Sequence, residues 1–192
     1  MRLIALRCPT CTEPLAVENN DVVVVCHNCQ TMVAISQNGA VKMPVSFVAA
    51  RSEHITEKEW VPFWVFNGRV NIRKRQLQGG RSDDKDSERL WGVPRALYVP
   101  AWELSMEIAQ NVGSQMIQGQ PKLQQIERPQ GSQFVSATVT PNDARKLLEF
   151  IVLAIEARRK DMLKKLEFDL EVGEPQMMVF PKVMFLSKNA RS

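Results

Sequence analysis

Hydrophobic and polar positions alternate in short runs over the first 40 residues of the chain. The apolar runs cover residues 15–17, 22–25 and 31–35. Runs of this length, separated by Asn, Asp and Gly, are typical of short antiparallel strands joined by turns. The pattern therefore predicts a small β module over residues 1–40, followed by a connector over residues 41–58 that has a short extended piece at residues 43–48.

A second set of strand patterns begins beyond residue 58. Residues 60–66 are rich in aromatic and β-branched residues, and Asn67-Gly68 separates them from the alternating residues 69–73. Asn-Gly between two strand patterns is a strong signal for a β-hairpin turn. Residues 76–90 are polar and contain a pair of glycines, which predicts a mobile loop. Further strand patterns cover residues 98–108 and 134–139.

The clearest helix signal begins at Thr140, a good N-cap residue, with Pro141 in the first turn. Hydrophobic residues then recur with the helical period as far as Leu166. The chain returns to alternation over residues 166–172, turns at a Gly-Glu-Pro sequence, and ends in a Met-rich strand pattern. Residues 59–192 therefore predict an α+β domain, in which one long C-terminal helix covers an antiparallel sheet.

All four cysteines form two Cys-x-x-Cys pairs with 14 residues between the pairs; they are Cys8, Cys11, Cys26 and Cys29. In a chain with no sign of export, such pairs are more often metal ligands than disulfides. Each pair can form a tight turn, and a hairpin can bring the two turns together so that four sulfurs surround one ion tetrahedrally. The pattern predicts one structural Zn²⁺. Iron is the less favoured metal, and a redox dithiol is the main competing interpretation.

With these ligands in this order, residues 1–40 resemble a zinc ribbon, the four-cysteine module of many transcription, replication and translation proteins. The common form tends to have Gly after each cysteine pair, where this chain has Thr12 and Gln30. His27 lies inside the second pair and is expected to be a solvent-facing turn residue. Because zinc ribbons bind nucleic acid in some proteins and protein surfaces in others, the resemblance implies a fold and a metal but no activity.

The sequence Val61-Pro62-Phe63-Trp64 behind the ribbon is similar to a strand in a group of poorly characterised bacterial zinc-ribbon proteins. This resemblance implies a bacterial, cytosolic protein. Members of the group are sometimes labelled helicase-like on the ribbon alone. The present chain contains no phosphate-binding Gly-x-x-x-x-Gly-Lys-Ser/Thr sequence, so we expect no helicase motor.

Composition and charge narrow the class of function. The chain has 192 residues, of which 44% are hydrophobic and 24% charged, and its net charge is +4. This composition excludes wholesale disorder, and the charge is too mild to require an acidic partner. No apolar run approaches the roughly 20 residues of a membrane span, so we expect a cytoplasmic protein. His27 and His54 are the only histidines, and no known catalytic motif is present, so we expect neither an enzyme nor a small-molecule substrate.

Protein interaction is the favoured function. A closed metal site and a spare apolar strand suit a non-enzymatic scaffold or assembly subunit that acts through a protein partner or a larger complex. Methionine-rich surfaces adapt well to partners, and the last strand pattern supplies candidate partner-binding residues. These candidates are Met177, Met178, Phe180, Met184 and Phe185. The competing interpretation is that this strand lies in the core of the protein itself.

Nucleic-acid binding by an accessory protein is the alternative function. A basic segment lies close to tryptophans, and lysine and arginine side chains provide phosphate contacts. Its candidate contact residues are Arg69, Arg73, Lys74, Arg75 and Arg81. Acidic residues follow directly, from Asp83 to Glu88, and partly cancel the positive field.

Overall fold

The computed structural model describes residues 6–50, 56–77, 84–159 and 163–186. A three-stranded antiparallel sheet comes first, and a mixed seven-stranded sheet packed against helices follows it. The predicted α+β class is confirmed. The larger sheet is mixed because two of its strand pairs, β4 with β10 and β5 with β8, run parallel.

The elements follow one another in this order along the chain. The small sheet contains β1 (Val23–Val25), β2 (Met32–Ser36) and β3 (Gly39–Lys42). The large sheet contains β4 (Ser46–Ala49), β5 (Glu59–Leu77), β6 (Arg95–Pro100), β7 (Gln124–Ile126), β8 (Gln133–Phe134), β9 (Leu163–Val172) and β10 (Gln176–Pro181). The helices are α1 (Asp84–Trp91), α2 (Met106–Gly119), α3 (Pro141–Ala157) and the single turn α4 (Val183–Leu186).

The predicted strands over residues 22–25 and 31–35 form, as β1 and β2, but the predicted first strand does not. Residues 15–17 form no strand, and β3 pairs with β2 instead, through a tight turn that ends at Gly39. Gly39 has a φ of 116°, which only glycine adopts readily. The turn before Gly39 therefore continues the chain as a hairpin from β2 into β3.

The predicted hairpin at Asn67-Gly68 is wrong, because β5 runs without a break for 19 residues. On one side of β5, β9 pairs with residues 68–77 and β10 with residues 60–65, almost end to end. The Gly173 amide continues this ladder by donating to the Asn67 carbonyl oxygen, at 3.2 Å. A Cβ at position 68 would run into the Glu171 carbonyl oxygen, so glycine is needed there for close approach of the strands.

The helix predictions are confirmed in part. Thr140 caps α3 by accepting a hydrogen bond from the Asp143 amide, and Pro141 lies in the first turn, as predicted. The helix ends at Ala157, earlier than its apolar stripe suggested, and β9 begins at Leu163. A second long helix, α2, replaces the strand pattern from Met106 onward. The Ser105 side chain caps α2 by accepting a hydrogen bond from the Ile108 amide.

Two boundary predictions also change. The extended piece predicted within the connector corresponds to β4 at residues 46–49, which joins the large sheet between β10 and β7. The loop prediction is wrong over residues 84–90, which belong to α1, and over residues 76–77, which end β5. Residues 78–83, the rest of that predicted loop, lie outside the described residues.

The main core cluster contains side chains from both faces of the large sheet and from α2 and α3. Its largest fully buried side chains include Phe63, Phe66 and Phe180 from the sheet and Leu148 and Ile151 from α3. Burial of an aromatic or branched side chain stabilises the fold by about 1.5–3 kcal/mol. No helix in the described ranges is long and apolar enough to cross a membrane.

The small sheet packs directly against this core. Val23 and Met32 belong to the same hydrophobic cluster as the large sheet. The Ala137 backbone, which precedes α3, donates to the Val23 carbonyl at 2.9 Å and accepts from the Val22 amide at 2.6 Å. The position of the cysteine module is therefore set by backbone hydrogen bonds as well as by apolar contact.

Candidate metal centre

The two cysteine pairs form turns of the same geometry. In the first turn, the Thr12 amide donates to the Cys8 carbonyl, and the Cys8 amide donates to the Glu13 carbonyl. In the second turn, the Gln30 amide donates to the Cys26 carbonyl, and the Cys26 amide donates to the Thr31 carbonyl. All four N···O distances are 2.9 Å. The chain therefore presents two similar loops whose thiols point at a shared centre.

The residue after each pair has a left-handed backbone conformation. Thr12 has a φ of 64° and Gln30 a φ of 61°. Residues with a Cβ pay about 1–2 kcal/mol for this conformation, whereas glycine adopts it freely. The structure therefore gives a physical reason why Gly is common at these positions in zinc ribbons, and it shows that Thr12 and Gln30 keep the same turn geometry under strain.

We expect the Gln30→Gly variant to be more stable than Gln30→Ala by about 1 kcal/mol. Both changes remove the hydrogen bond from the Gln30 side chain to the His27 carbonyl, so their difference isolates the backbone strain. Urea unfolding of the zinc-loaded protein measures it. The same two substitutions at the exposed helical residue Gln115 are the control, because there Ala should be the more stable by about 1 kcal/mol. Equal stability of the two variants at position 30 would contradict the strain.

The four thiols meet in one compact cluster. All four Sγ atoms lie within 4.8 Å of one another. The Cys8–Cys29 and Cys11–Cys26 sulfur pairs are each 3.5 Å apart. A tetrahedral site with metal–sulfur bonds of about 2.3 Å has sulfurs about 3.8 Å apart. The spacing of the sulfurs fits such a site, so the four clustered cysteines could bind a metal ion such as zinc.

Neighbouring groups give the thiols very different acidities. The Thr31 hydroxyl, 3.2 Å from Cys29 Sγ, and then the Thr31 amide lower the pKa of Cys29 to about 6. At Cys11 the Glu13 amide favours the thiolate, but burial and the nearby sulfurs of Cys29 and Cys26 raise the pKa to about 11. Adjacent thiolates repel one another, so the cluster holds four negative sulfurs only when a cation neutralises them.

We expect metal binding to release protons and to weaken in acid. Zinc binds thiolates, so the Cys11 thiol, with a pKa of about 11, must lose its proton at neutral pH. Below pH 6 the Cys29 thiol, with a pKa of about 6, is protonated as well, so the affinity should fall more steeply there. Each released proton changes the apparent affinity about tenfold per pH unit. Indicator titration during zinc addition counts these protons, and no release near pH 7 would contradict the assignment.

The packing around the sulfurs is small but specific. Cys8 and Cys26 are buried together with Val24 and Val33, while Cys11 and Cys29 are half-buried. His27 is exposed in the second turn, as predicted. Among the described residues, no other group of three or more His, Cys, Asp or Glu side chains comes close enough together to hold a metal ion.

Arg128 fastens the second cysteine turn to the large sheet. Its guanidinium donates to the Gln30 carbonyl at 2.9 Å and to the Ser132 hydroxyl at 3.1 Å. The same group lies 5.8 Å from the centre of the Phe47 ring in β4. This contact could not be predicted from the sequence, because residues 30 and 128 are nearly 100 positions apart.

The basic segment of β5 is matched by acidic residues of β9. Arg69 lies opposite Glu171, and Lys74 lies opposite Glu167. Arg73 forms an ion pair with Asp169 at 2.8 Å. Arg81 lies outside the described residues. The exposed candidates for nucleic-acid contact therefore form an outward-facing charge ladder, defined here as residues 69–74 of β5 paired with residues 167–171 of β9.

Arg75 is not a surface residue. Its side chain is only 5% exposed, and its Nε donates to Glu156 Oε2 at 2.8 Å. Glu156 is fully buried and also accepts from the Trp91 indole and from Arg159, each at 2.8 Å. The candidate role of Arg75 in phosphate binding is therefore wrong, because the guanidinium is inside the protein and neutralises a carboxylate.

The Met-rich strand belongs to the fold itself. Met177 is 2% exposed and Phe180 is fully buried, because β10 lies between β5 and β4. Met178, Met184 and Phe185 are half-buried and pack against the same core. Met177 and Phe180 therefore belong to the core, as the competing interpretation held, whereas a partner-binding role for the half-buried Met178, Met184 and Phe185 stays a prediction.

The Glu156 cluster is the main feature that sequence reasoning missed. The signal was a single carboxylate between Ile155 and Ala157 in an otherwise apolar stretch, next to Arg158-Arg159. A buried carboxylate requires paired donors, so a carboxylate within the apolar stripe of this helix predicts a cationic partner. Which partner could not be read from the sequence, because Trp91 and Arg75 are 65 and 81 residues away.

Comparison with known protein families, curated proteins and solved structures found no match for this chain. The site is therefore interpreted on its own geometry. A four-cysteine cluster beside a small three-stranded antiparallel sheet is the arrangement of a zinc-ribbon-like module.

Proposed function

We propose that this protein is a non-enzymatic, zinc-binding scaffold or assembly subunit that acts through contacts with a protein partner. One Zn²⁺ held by Cys8, Cys11, Cys26 and Cys29 would have four thiolate ligands. Such a site has no open position for a substrate or an activated water, and its role is structural. The compact sulfur cluster and its two similar turns support this assignment.

The structural role of zinc follows from what the cysteine module touches. The metal would hold the two cysteine turns together. The strands of the module pack on the main core, and Arg128 donates a hydrogen bond to the second turn. Zinc binding would then set the position of the module on the body. The resemblance of the ribbon and of Val61-Pro62-Phe63-Trp64 to bacterial zinc-ribbon proteins supports a bacterial, cytoplasmic setting.

The charge ladder is the observation that favours protein over nucleic acid. Each exposed cation from Arg69 to Lys74 has a carboxylate opposite it or paired with it on β9. Phosphate binding draws on unneutralised lysines and arginines, with an affinity that falls steeply with salt. A face on which the charges already cancel is better suited to a protein surface that carries both signs.

Purification from the natural cells at native abundance tests this function. We expect a protein to accompany the tagged chain in a fixed ratio after nuclease treatment and a wash at about 300 mM salt, conditions that remove nucleic-acid bridging. We also expect no retention on heparin at low salt. Tight heparin binding that weakens steeply between about 50 and 200 mM salt, together with loss of all partners after nuclease, would favour the alternative, a nucleic-acid-binding accessory protein.

A further inference from the structure

A cavity of about 440 Å³ lies between the cysteine module and the body of the protein. The module contributes Val25 of β1 and Gln30 of the second cysteine turn, and the body contributes Arg128, Ser132 and Ser136. We call it the seam cavity. Its volume is within the range of about 300–1,000 Å³ that is usual for small-molecule sites in proteins.

Arg128 gives the seam cavity a positive charge without a counter-ion. No Asp or Glu in the described ranges forms an ion pair with its guanidinium, and no described Asp or Glu lines the cavity. Burial lowers the pKa of Arg128, and no carboxylate offsets this effect. Arg73 and Arg75 of β5, by contrast, are both paired with carboxylates. A half-buried cation such as Arg128 is stabilised by an anion that enters the cavity.

Two carboxylates that are near Arg128 in the chain or in the sheet do not neutralise it. Glu127 directly precedes Arg128, but its side chain is exposed and does not line the cavity. Glu59 lies opposite Gln133 in the pairing of β5 with β8, but its carboxylate accepts a hydrogen bond from Lys182 Nζ at 3.2 Å. The positive charge of Arg128 is therefore available to a ligand.

The seam cavity also has hydrogen-bond donors to spare. A guanidinium carries five N–H groups. Three are used, because Nε and Nη2 of Arg128 donate to Ser132 and Nη1 donates to the Gln30 carbonyl. One N–H therefore remains on each terminal nitrogen. The Ser136 hydroxyl and the Gln133 side-chain amide line the same cavity and have no hydrogen-bond partner within the described part of the chain.

The charge and the apolar lining indicate which anion fits best. One cation balances the single negative charge of a carboxylate, whereas a phosphate group carries about −1.5 to −2 at pH 7. A second acidic group on the ligand would be buried without a partner, which is unfavourable. The half-buried side chains of Val25 and Phe134 line the cavity as well, so they can pack against an apolar part of the ligand.

From these observations, we propose that the seam cavity binds a small organic acid with one carboxylate and a compact apolar body. The carboxylate accepts hydrogen bonds from Arg128 and Ser136, and the apolar body lies beside Val25 and Phe134. Because one wall belongs to the cysteine module and the other to the body, the bound acid connects the two. This inference goes beyond the proposed function and does not depend on it, because it requires no protein partner.

Benzoate is the first probe, and benzamide is its neutral counterpart of nearly the same shape. In NMR titrations of the full-length, zinc-loaded protein at constant ionic strength, we expect benzoate to bind with a Kd of about 1 mM. Benzamide should bind at least about tenfold more weakly. The Nε–H signal of Arg128 and the backbone amide signals of Gln30 and Ser136 should shift with benzoate. Isobutyrate, with a smaller apolar body, is the second probe.

These titrations can overturn the proposal in three ways. The first is the absence of a saturable shift with either acid up to about 20 mM. The second is benzamide binding as tightly as benzoate, since the carboxylate would then contribute nothing. The third is tighter binding of inorganic phosphate or succinate than of both monocarboxylates, which would assign the cavity to an anion of higher charge.

Two pairs of variants locate the binding site. Arg128→Gln should weaken benzoate at least about tenfold, while Arg73→Gln makes the same change in charge outside the cavity and should leave the affinity unchanged. Ser136→Ala should weaken benzoate about 2–10-fold at an unchanged melting temperature. Its control is Ser46→Ala, at a half-buried serine of β4 that does not line the cavity, which should change neither value.

The Ser136→Ala variant keeps the test decisive if Arg128→Gln disturbs the module. Arg128 also donates to the second cysteine turn, so the zinc content of each variant is measured in parallel. If Arg128→Gln loses zinc, the affinity of the zinc-loaded Ser136→Ala protein decides alone. An affinity for benzoate that is unchanged in Ser136→Ala would then overturn the proposal, and so would an unchanged affinity in both variants when both retain zinc.

Discussion

Removing the metal with a strong chelator should unfold the cysteine module while the large sheet stays folded. Metal binding supplies on the order of 10 kcal/mol to small zinc modules, whereas the apolar cluster around the sulfurs contains little more than Val24, Val33 and the cysteines. The large sheet has its own core of aromatic and branched residues. Replacing Cys26 by Ser should have the same effect, because a three-sulfur site loses much of its affinity.

Hydrogen exchange with mass spectrometry measures this result along the chain. We expect rapid exchange in β1, β2 and β3 after chelation, and slow exchange in β5, β6 and α3. The module packs on the core through Val23 and Met32, so partial loosening should reach Ala137, which bonds to Val23. His27→Ala is the matched control, since it changes an exposed residue in the same turn and should change nothing. Retained protection of β1 and β2 after complete metal removal would contradict the account.

The Glu156→Ala variant should lose about 3–5 kcal/mol of stability, because breaking a buried ion pair leaves its partner charge uncompensated. Glu156 accepts hydrogen bonds from Arg75, Arg159 and the Trp91 indole. The Arg75 side chain is 5% exposed, so its guanidinium could not turn to solvent without moving β5 away from α3. Loss of this carboxylate also removes the hydrogen bond that connects Trp91, at the end of α1, to α3.

Urea unfolding of the zinc-loaded protein measures the effect of Glu156→Ala. Glu149→Ala is the control: it removes a carboxylate from the exposed face of the same helix and should change the stability by less than about 0.5 kcal/mol. Trp91→Phe removes one donor and keeps the aromatic ring, so an intermediate loss is expected. If Glu156→Ala unfolds at the same urea concentration as Glu149→Ala, the buried cluster does not hold the helices together.

Features set by local chemistry could be predicted from the sequence. The spacing of the cysteine pairs identified the clustered thiols, and Thr140 with Pro141 identified the start of α3. The helix cap acts within one turn of helix, and each cysteine pair acts within one tight turn, with only 14 residues between the two pairs. Even the departures from the common ribbon were informative, since Thr12 and Gln30 both have a left-handed backbone.

Features set by long-range pairing could not be predicted. Asn67-Gly68 is a strong hairpin signal in isolation, but β6 on one side and β9 with β10 on the other hold β5 straight through it. The same pairing buries Met177 and Phe180, which sequence alone left open between core and surface. Arg75 was mistaken for a surface cation because its partner, Glu156, is 81 residues away.

The metal content of the freshly isolated protein tests the central claim most directly. Native mass spectrometry should find one zinc ion per chain, and X-ray absorption should find four sulfur ligands at about 2.3 Å. The Cys26→Ser protein, purified in parallel, should contain much less zinc. A full-length protein with no bound metal and four freely titratable thiols would contradict the account, and an iron centre would contradict the assignment of zinc.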